Sequence, residues 1–291
     1  MKTVIGVYDS GIGGLTTLSK LAARLPQCDF RYLADNARMP FGTKSKEEIA
    51  AAVYSAIERL KQDCDIVVLG CNTASTAVNP DGVFKLKPRL DGCVPSETLV
   101  LATPLTLAAT QAREKGFLTA DTKELAVLTE IQASLCFKSK TVISMKNLDG
   151  YFAERLSSAT ESGKIKKVIL GCSHYVYARD RLAALFPSAE FADGNDALTD
   201  EVCKCVHGFF DVSESASIFA PLRREYTGLG CCDGCGLARL RRDPSFSAPH
   251  PSVTFAFTAE CETDKYKWLL EKLFESYVAK DTTFPFCRCF Q

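Results

Sequence analysis

The chain has no surplus of charge: 35 Lys and Arg are balanced by 35 Asp and Glu over 291 residues. Without a net field there is nothing to gather polyanions or an acidic lipid surface, so nucleic acid is not an expected partner. No apolar run approaches the ~18 residues that span a bilayer, and no membrane partner is expected either. The opening MKTVIGVYDS has one Lys, then an apolar stretch that Asp9 cuts too short for a secretory signal core. A cytoplasmic globular protein is therefore expected. Its 46% hydrophobic and 24% charged residues fit that class and exclude a disordered tail or a fibrous repeat. Cysteine, by contrast, is plentiful. The 14 cysteines are scattered rather than framed as a small disulfide scaffold, and in a reducing compartment they are expected as thiols.

The pattern along the chain predicts an α/β fold. Thr3 to Tyr8 is a β-branched and aromatic run ending in Asp9, Ser10 and a glycine cluster. Leu15, Leu18, Leu21, Ala22 and Leu25 then recur at helical spacing until Pro26. Phe30 to Ala34 is a second strand, Lys46 to Lys61 a helix with one apolar face, and DIVVL at Asp65 to Leu69 a strand buried on both sides. A βαβαβ start implies a mainly parallel sheet with functional loops at the carboxyl ends of its strands. The middle of the chain begins again with a strand at Thr98 to Ala102 and a helix from Pro104 to Lys115. Strands are then expected at Leu125 to Leu128, Thr141 to Ser144 and Lys167 to Leu170, with a helix over Tyr151 to Ala159. DIVVLGCNTAS (Asp65 to Ser75) and KKVILGCSHYV (Lys166 to Val176) echo each other as strand, Gly-Cys and a polar residue, which suggests two related α/β halves. Residues 219 to 251 look like an irregular insertion. A strand at Val253 to Phe257 and a helix at Tyr266 to Val278 then return to the first half. The expected division is 1–97 plus 206–291 for the first domain and 98–205 for the second.

The glycines of DSGIGG (Asp9 to Gly14) let a ligand approach the backbone at a helix start, where free N–H groups favour an anion. A dinucleotide fingerprint needs a third glycine where Thr16 stands; with Asp35 as a ribose-binding acid this remains an alternative, beside a plain structural turn. Cys71 and Cys172 each follow a glycine at the end of a buried strand. A helix N-terminus beside them would favour the thiolate. A lone strand-end cysteine is usually a small buried hydrophobe, but two in matching settings suggest an opposed acid and base. Asn72, Thr73 and Ser173 add donors for a carboxylate, and His174 could serve Cys172 as proton relay or counter-charge.

The segments VYDSGIGGLTTL, DNARMPFGTKS, LGCNTAS, LATPLTLA and LGCSHY resemble, in order and spacing, the motifs of glutamate racemases, members of the aspartate/glutamate racemase superfamily. The resemblance covers about residues 4 to 205 and resumes at VTFAFTAECETDKYKWLLEKLF. It implies two α/β domains with mainly parallel sheets, the active site between them, and no cofactor or metal. It also implies glutamate as the substrate, racemised by Cys71 and Cys172 as two bases working on opposite faces of the α-carbon. Asp9 would attend Cys71 and His174 would attend Cys172. Ser10, the backbone of Pro40, Phe41 and Gly42, and Asn72, Thr73 and Ser173 would hold the ammonium and carboxylates, with Thr103 and Thr106 as further candidates. Supply of D-glutamate for peptidoglycan, and a homodimer as the candidate assembly, belong to the same implication. The chain departs from the family pattern at Phe41 (usually Tyr), Ser173 (usually Thr) and Val176 (usually Pro). The family's supporting glutamate upstream of the second cysteine has only Asp149 as a stand-in.

Alternatives remain within and outside the superfamily: an aspartate racemase, a related decarboxylase or hydantoin enzyme, or a redox or metal-binding protein built on cysteine clusters. For the last, the CCxxC of Cys231, Cys232 and Cys235 and the CxC pairs Cys203/Cys205 and Cys287/Cys289 are the candidates, though their spacings match no standard zinc pattern. His207 and His250 are expected on the surface, and Arg239, Arg241 and Arg242 on a solvated face beside Asp233 and Asp243.

Overall fold

The structure is a computed structural model and describes residues 2–139, 146–211, 251–259 and 263–278. Two all-parallel sheets form its frame. The first contains β1 (Val4–Asp9), β2 (Asp29–Ala34), β3 (Ile66–Leu69), β4 (Val83–Lys85) and β9 (Val253–Phe257), in the order β4-β3-β1-β2-β9. The second contains β5 (Thr98–Ala102), β6 (Leu118–Asp121), β7 (Lys167–Gly171) and β8 (Glu190–Ala192), in the order β6-β5-β7-β8. β3 and β5 are buried at every residue, as parallel strands covered by helices on both faces must be. The late strand β9 pairs with β2, Phe30 opposite Val253 through Ala34 opposite Phe257.

The first two helices form where the periodicity places them. α1 (Leu15–Arg24) turns Leu15, Leu18, Leu21 and Ala22 inward. α2 (Lys46–Lys61) starts with a reciprocal cap: Glu48 N donates to Ser45 Oγ at 3.2 Å, and Ser45 N donates to Glu48 Oε2 at 2.9 Å. Its inward face is Ile49, Val53, Ile57 and Leu60. The short α3 (Asn72–Ala77) and α4 (Pro104–Thr110) follow the central strands, α5 (Lys123–Ser139) and α6 (Lys146–Ser162) follow β6, and α7 (Arg179–Leu185) precedes β8. α8 (Asn195–Asp211) and the C-terminal α9 (Thr263–Val278) both lie against α1. The α1–α8 contact carries polar rungs: Thr17 donates to Asn195 at 2.5 Å, Lys20 pairs with Asp196, and Arg24 reaches Asp200 at 2.5 Å. One apolar core runs through both sheets, joining Ile5, Leu18 and Val68 to Leu101, Val168 and Leu170.

Three expectations change. Leu125 to Leu128 is not a strand but the first turns of α5. The strand of that region is β6, earlier in the chain. The helix from Pro104 ends at Thr110, because Gln111 takes a left-handed conformation with φ 53°. The Cys203/Cys205 pair lies on α8 with Cys203 buried, and residues two apart on a helix do not share a face, so the pair cannot present two sulfurs to one ion. His207 is exposed on the same helix. The expected strand at Thr141 to Ser144 lies outside the described residues, as do residues 219–250 of the expected insertion, with Cys231, Cys232, Cys235, Arg239, Arg241, Arg242 and His250. Cys287 and Cys289 lie outside them too.

Candidate active site

The candidate residues lie at the carboxyl ends of strands or in the loops and helix starts that follow them, where parallel strands leave their loops. Asp9 ends β1, Pro40, Phe41 and Gly42 belong to the loop after β2, and Cys71 follows β3. Thr103 follows β5 and Cys172 follows β7. The two cysteines occupy equivalent places. Cys71 is the N-cap of α3 and Cys172 the N-cap of a 3-10 turn over Ser173–Ala178, so the echo in the sequence is an echo in the structure. Both are buried, at 2% and 4% exposure, and they lie within electrostatic reach of one another.

Around them the loops of both sheets interlock. Asp9 accepts Gly11 N at 2.7 Å on Oδ1 and the Ser173 hydroxyl at 2.9 Å on Oδ2, which bridges one half to the other. Ser10 Oγ is 3.7 Å from Cys71 Sγ. Thr73 and Thr103 meet hydroxyl to hydroxyl at 3.0 Å, and Thr103 donates to Thr106 at 3.2 Å. A Cβ on Gly42 would stand 3.2 Å from Thr103 Cγ2, so the Pro40–Gly42 loop closes on the same cluster. Asn72 is buried with neither its amide nitrogen nor its amide oxygen paired, which is costly unless something else takes those bonds.

The second cysteine has its own titratable neighbours. His174 stands beside Cys172, which favours its charged form. Its Nε2 also lies 3.2 Å from Glu130 Oε1, an oxygen that accepts Ile12 N at 2.7 Å. Burial works against a charged imidazole, but Cys172, the contact with Glu130 and the charge of Asp9 outweigh it and hold His174 well above its ordinary pKa. Burial likewise opposes ionisation of Glu130, yet His174, Lys265 and the Ile12 amide keep its carboxyl below the usual range. Each of the two groups thus favours the charged form of the other, a carboxylate at Glu130 and an imidazolium at His174. Asp9 is pushed up by burial, which its contacts with His174, Gly11 and Ser173 only partly reverse.

One electrostatic expectation fails. An N-cap position on its own favours a thiolate at Cys71. Burial, followed by the Asp9 carboxylate and Cys172, instead pushes this thiol up, and the bonds from Ala74 N–H and Ser10 do not compensate. Desolvation outweighs a six-residue helix.

Sequence reasoning also missed Glu130 and Lys265. Glu130 shares the buried face of α5 with Ala126 and Ala133, one turn to either side, and a carboxylate there is a signal only once the segment is known to be a helix. Lys265 stands one turn before Leu269 on the core face of α9. Asp149, the expected stand-in, lies on α6, and its side chain is outside the described residues.

No protein-family model matches the chain. A glutamate racemase of Halothermothrix orenii is 32% identical over 211 residues, covering 66% of this chain and 80% of that protein. One of Campylobacter concisus is 30% identical over 207 residues, covering 66% of this chain and 78% of that protein. The chain belongs to the glutamate racemase family. It is therefore an enzyme of the isomerase class. Solved structures of the family share its fold: that of Campylobacter jejuni at 18% identity covers 92% of this chain and 98% of its own with a TM-score of 0.63. That of Francisella tularensis, in complex with D-glutamate, aligns at 21% identity and a TM-score of 0.63 over 94% of each chain.

Among the described residues, no group of three or more His, Cys, Asp and Glu could hold a metal ion. Nor is any described helix long and apolar enough to cross a membrane.

Proposed function

We propose that the chain interconverts L- and D-glutamate, with Cys71 and Cys172 as the two bases. The observation that carries this reading is the paired setting of the cysteines: two strand-end sulfurs in one buried polar cluster, each with a titratable neighbour. In one direction a thiolate takes the α-proton, the C–H bond breaks as an S–H bond forms, and the electron pair spreads into the α-carboxylate. The thiol opposite gives its proton to the other face and is left as the thiolate. The net change is inversion at carbon, with the two sulfurs exchanging protonation states.

The electrostatics suit a site that is activated by its ligand. Without substrate, Cys71 is held as the thiol by burial and by Asp9. An amino acid brings an ammonium group that offsets the Asp9 carboxylate and favours ionisation beside it. His174, kept protonated by Glu130 and Cys172, supplies a counter-charge or a proton for Cys172. The unpaired Asn72 amide, the Thr73–Thr103–Thr106 hydroxyls, Ser10, Ser173 and the Pro40–Phe41–Gly42 backbone are the groups we assign to the ammonium and carboxylates. Donors at the α-carboxylate stabilise the charge that develops there. The same reading assigns the chain a cytoplasmic role supplying D-glutamate for peptidoglycan, and leaves the homodimer to be measured.

The test is the decay of the circular dichroism of L-glutamate with purified enzyme and no added pyridoxal phosphate or metal, with L-aspartate as the parallel arm. Decay with glutamate alone is expected. Cys71→Ala and Cys172→Ala should each abolish it, because each removes proton exchange at one face. Near-full turnover in either variant would refute the two-base assignment, and decay only with aspartate would refute the substrate.

A further inference from the structure

We propose that Lys265, on the C-terminal helix α9, is a positioning residue for the Cys172 half of the site: it anchors the carboxylate of Glu130, which in turn holds His174 against the cysteine. The inference rests on the two-cysteine reading above and extends it to an element that touches neither sulfur.

The arrangement follows from one carboxylate with two oxygens. Glu130 Oε1 is fully engaged, accepting Ile12 N at 2.7 Å and lying 3.2 Å from His174 Nε2. The other oxygen, Oε2, has Lys265 Nζ at 3.6 Å. The ammonium also donates to Ser134 Oγ, one turn along α5 from Glu130, at 3.1 Å, and sits 5.4 Å from the centre of the Tyr266 ring. Lys265 is only 9% exposed. A lysine so placed, on a face it shares with Leu269 and Leu273, gives up hydration that a rim residue would keep. Its charge lies against the carboxylate that His174 Nε2 contacts, one of the two, with Asp9, that favour a charged imidazole.

Asp9 from β1 and the phenols of Tyr32 and Tyr177 also feel Glu130, and all three are pushed up by burial. His174 and Lys265 both lie against the carboxylate, and removing the lysine leaves Glu130 with less reason to stay ionised. The consequence for pH has a definite sign. Two cations hold the Glu130 carboxyl down, so without one of them it takes up its proton at higher pH.

The experiment compares Lys265→Met, Lys265→Arg, Glu130→Gln and the double variant Glu130→Gln/Lys265→Met in the full chain. It measures kcat and KM for glutamate against pH, with thermal unfolding as the check on folding. Lys265→Met should lower kcat about tenfold with KM nearly unchanged, since a reacting group is displaced while the groups that bind substrate stay in place. It should move the acid limb of kcat up by about half a pH unit, and Lys265→Arg should restore most of both. On a Glu130→Gln background, Lys265→Met should add nothing. A purely structural bridge would lower the unfolding temperature and leave the pH profile where it was. That result, or full multiplication of the two single effects, overturns the inference. If Lys265→Met does not fold, Lys265→Gln, which keeps a donor for Ser134, carries the same expectations. A wild-type enzyme without racemase activity, or an active Cys172→Ala, would defeat the two-cysteine reading instead. An active wild type, an inert Cys172→Ala and an unchanged Lys265→Met would defeat this inference alone.

Discussion

Gly11→Ala is the sharpest probe of how the two halves are fitted together. Gly11 does not occupy the left-handed region, so alanine brings no backbone strain there. The added methyl would collide with Glu130 Oε1 and stand 3.1 Å from His174 Nε2. The oxygen it displaces holds two contacts, with Ile12 N and His174. Hydrogen bonds to a charged group contribute about 1.5–3 kcal/mol each, and Glu130 can retain Lys265 while it retreats, so a net loss of about 2–4 kcal/mol is expected. The assay is urea unfolding followed by far-UV circular dichroism, with the midpoint falling and the slope unchanged. The decisive arm is the double variant. In a Glu130→Ala background the space is vacant, and Gly11→Ala should cost less than about 0.5 kcal/mol. An equal cost in both backgrounds would mean that something other than the Glu130 carboxylate fills that space, and the assembly described for the Cys172 half would be wrong.

Asn72→Leu should stabilise the ligand-free enzyme by about 1–3 kcal/mol in urea, because it replaces a buried amide that has no partner, while raising KM for glutamate about tenfold or more. Loss of stability with unchanged KM would contradict both halves of that statement. His174→Asn should expose a pH window. The raised imidazole contributes stability that is complete below its ordinary 6.5 and fades as pH climbs through the folded value; the lowered Glu130 contributes above its ordinary 4.5. The stability gap between wild type and His174→Asn should therefore be larger at about pH 5.5 than at about pH 9, and a gap that grows with pH would refute the pairing. Leu101→Ala, at a fully buried position of the second sheet, should cost about 2–5 kcal/mol with no change in KM.

Much of this architecture can be read from the chain. α2 matches its expected limits because a capping box and four apolar positions on one face agree. β5 and β9 likewise match theirs. The strand-end cysteines are legible because glycine followed by cysteine after an apolar run is a local pattern. α5 is not, since LAVL is too short a run for its period to separate strand from helix. That ambiguity hides Glu130, whose partner His174 is 44 residues away in sequence. The short strands β4 and β8 escape for another reason: they are three residues long and only partly buried, so no alternation develops. The state of the Cys71 thiol is beyond the sequence because a helix terminus can be seen there, whereas the desolvation that outweighs it depends on what the rest of the chain packs around it.

The depth of the two sulfurs also bears on chemical durability. Only a thiolate is readily alkylated or oxidised, and only where a reagent can reach it. Burial pushes the thiols of Cys71, Cys64 and Cys205 up alike, so access separates them: Cys71 is nearly sealed from solvent, while Cys64, Cys93 and Cys205 are partly open. In a chain with 14 cysteines, electrophiles and peroxides would be consumed first at such outlying positions. Mass-spectrometric mapping after brief iodoacetamide treatment should find Cys64, Cys93 and Cys205 labelled well ahead of Cys71, with glutamate turnover outlasting the first wave of modification.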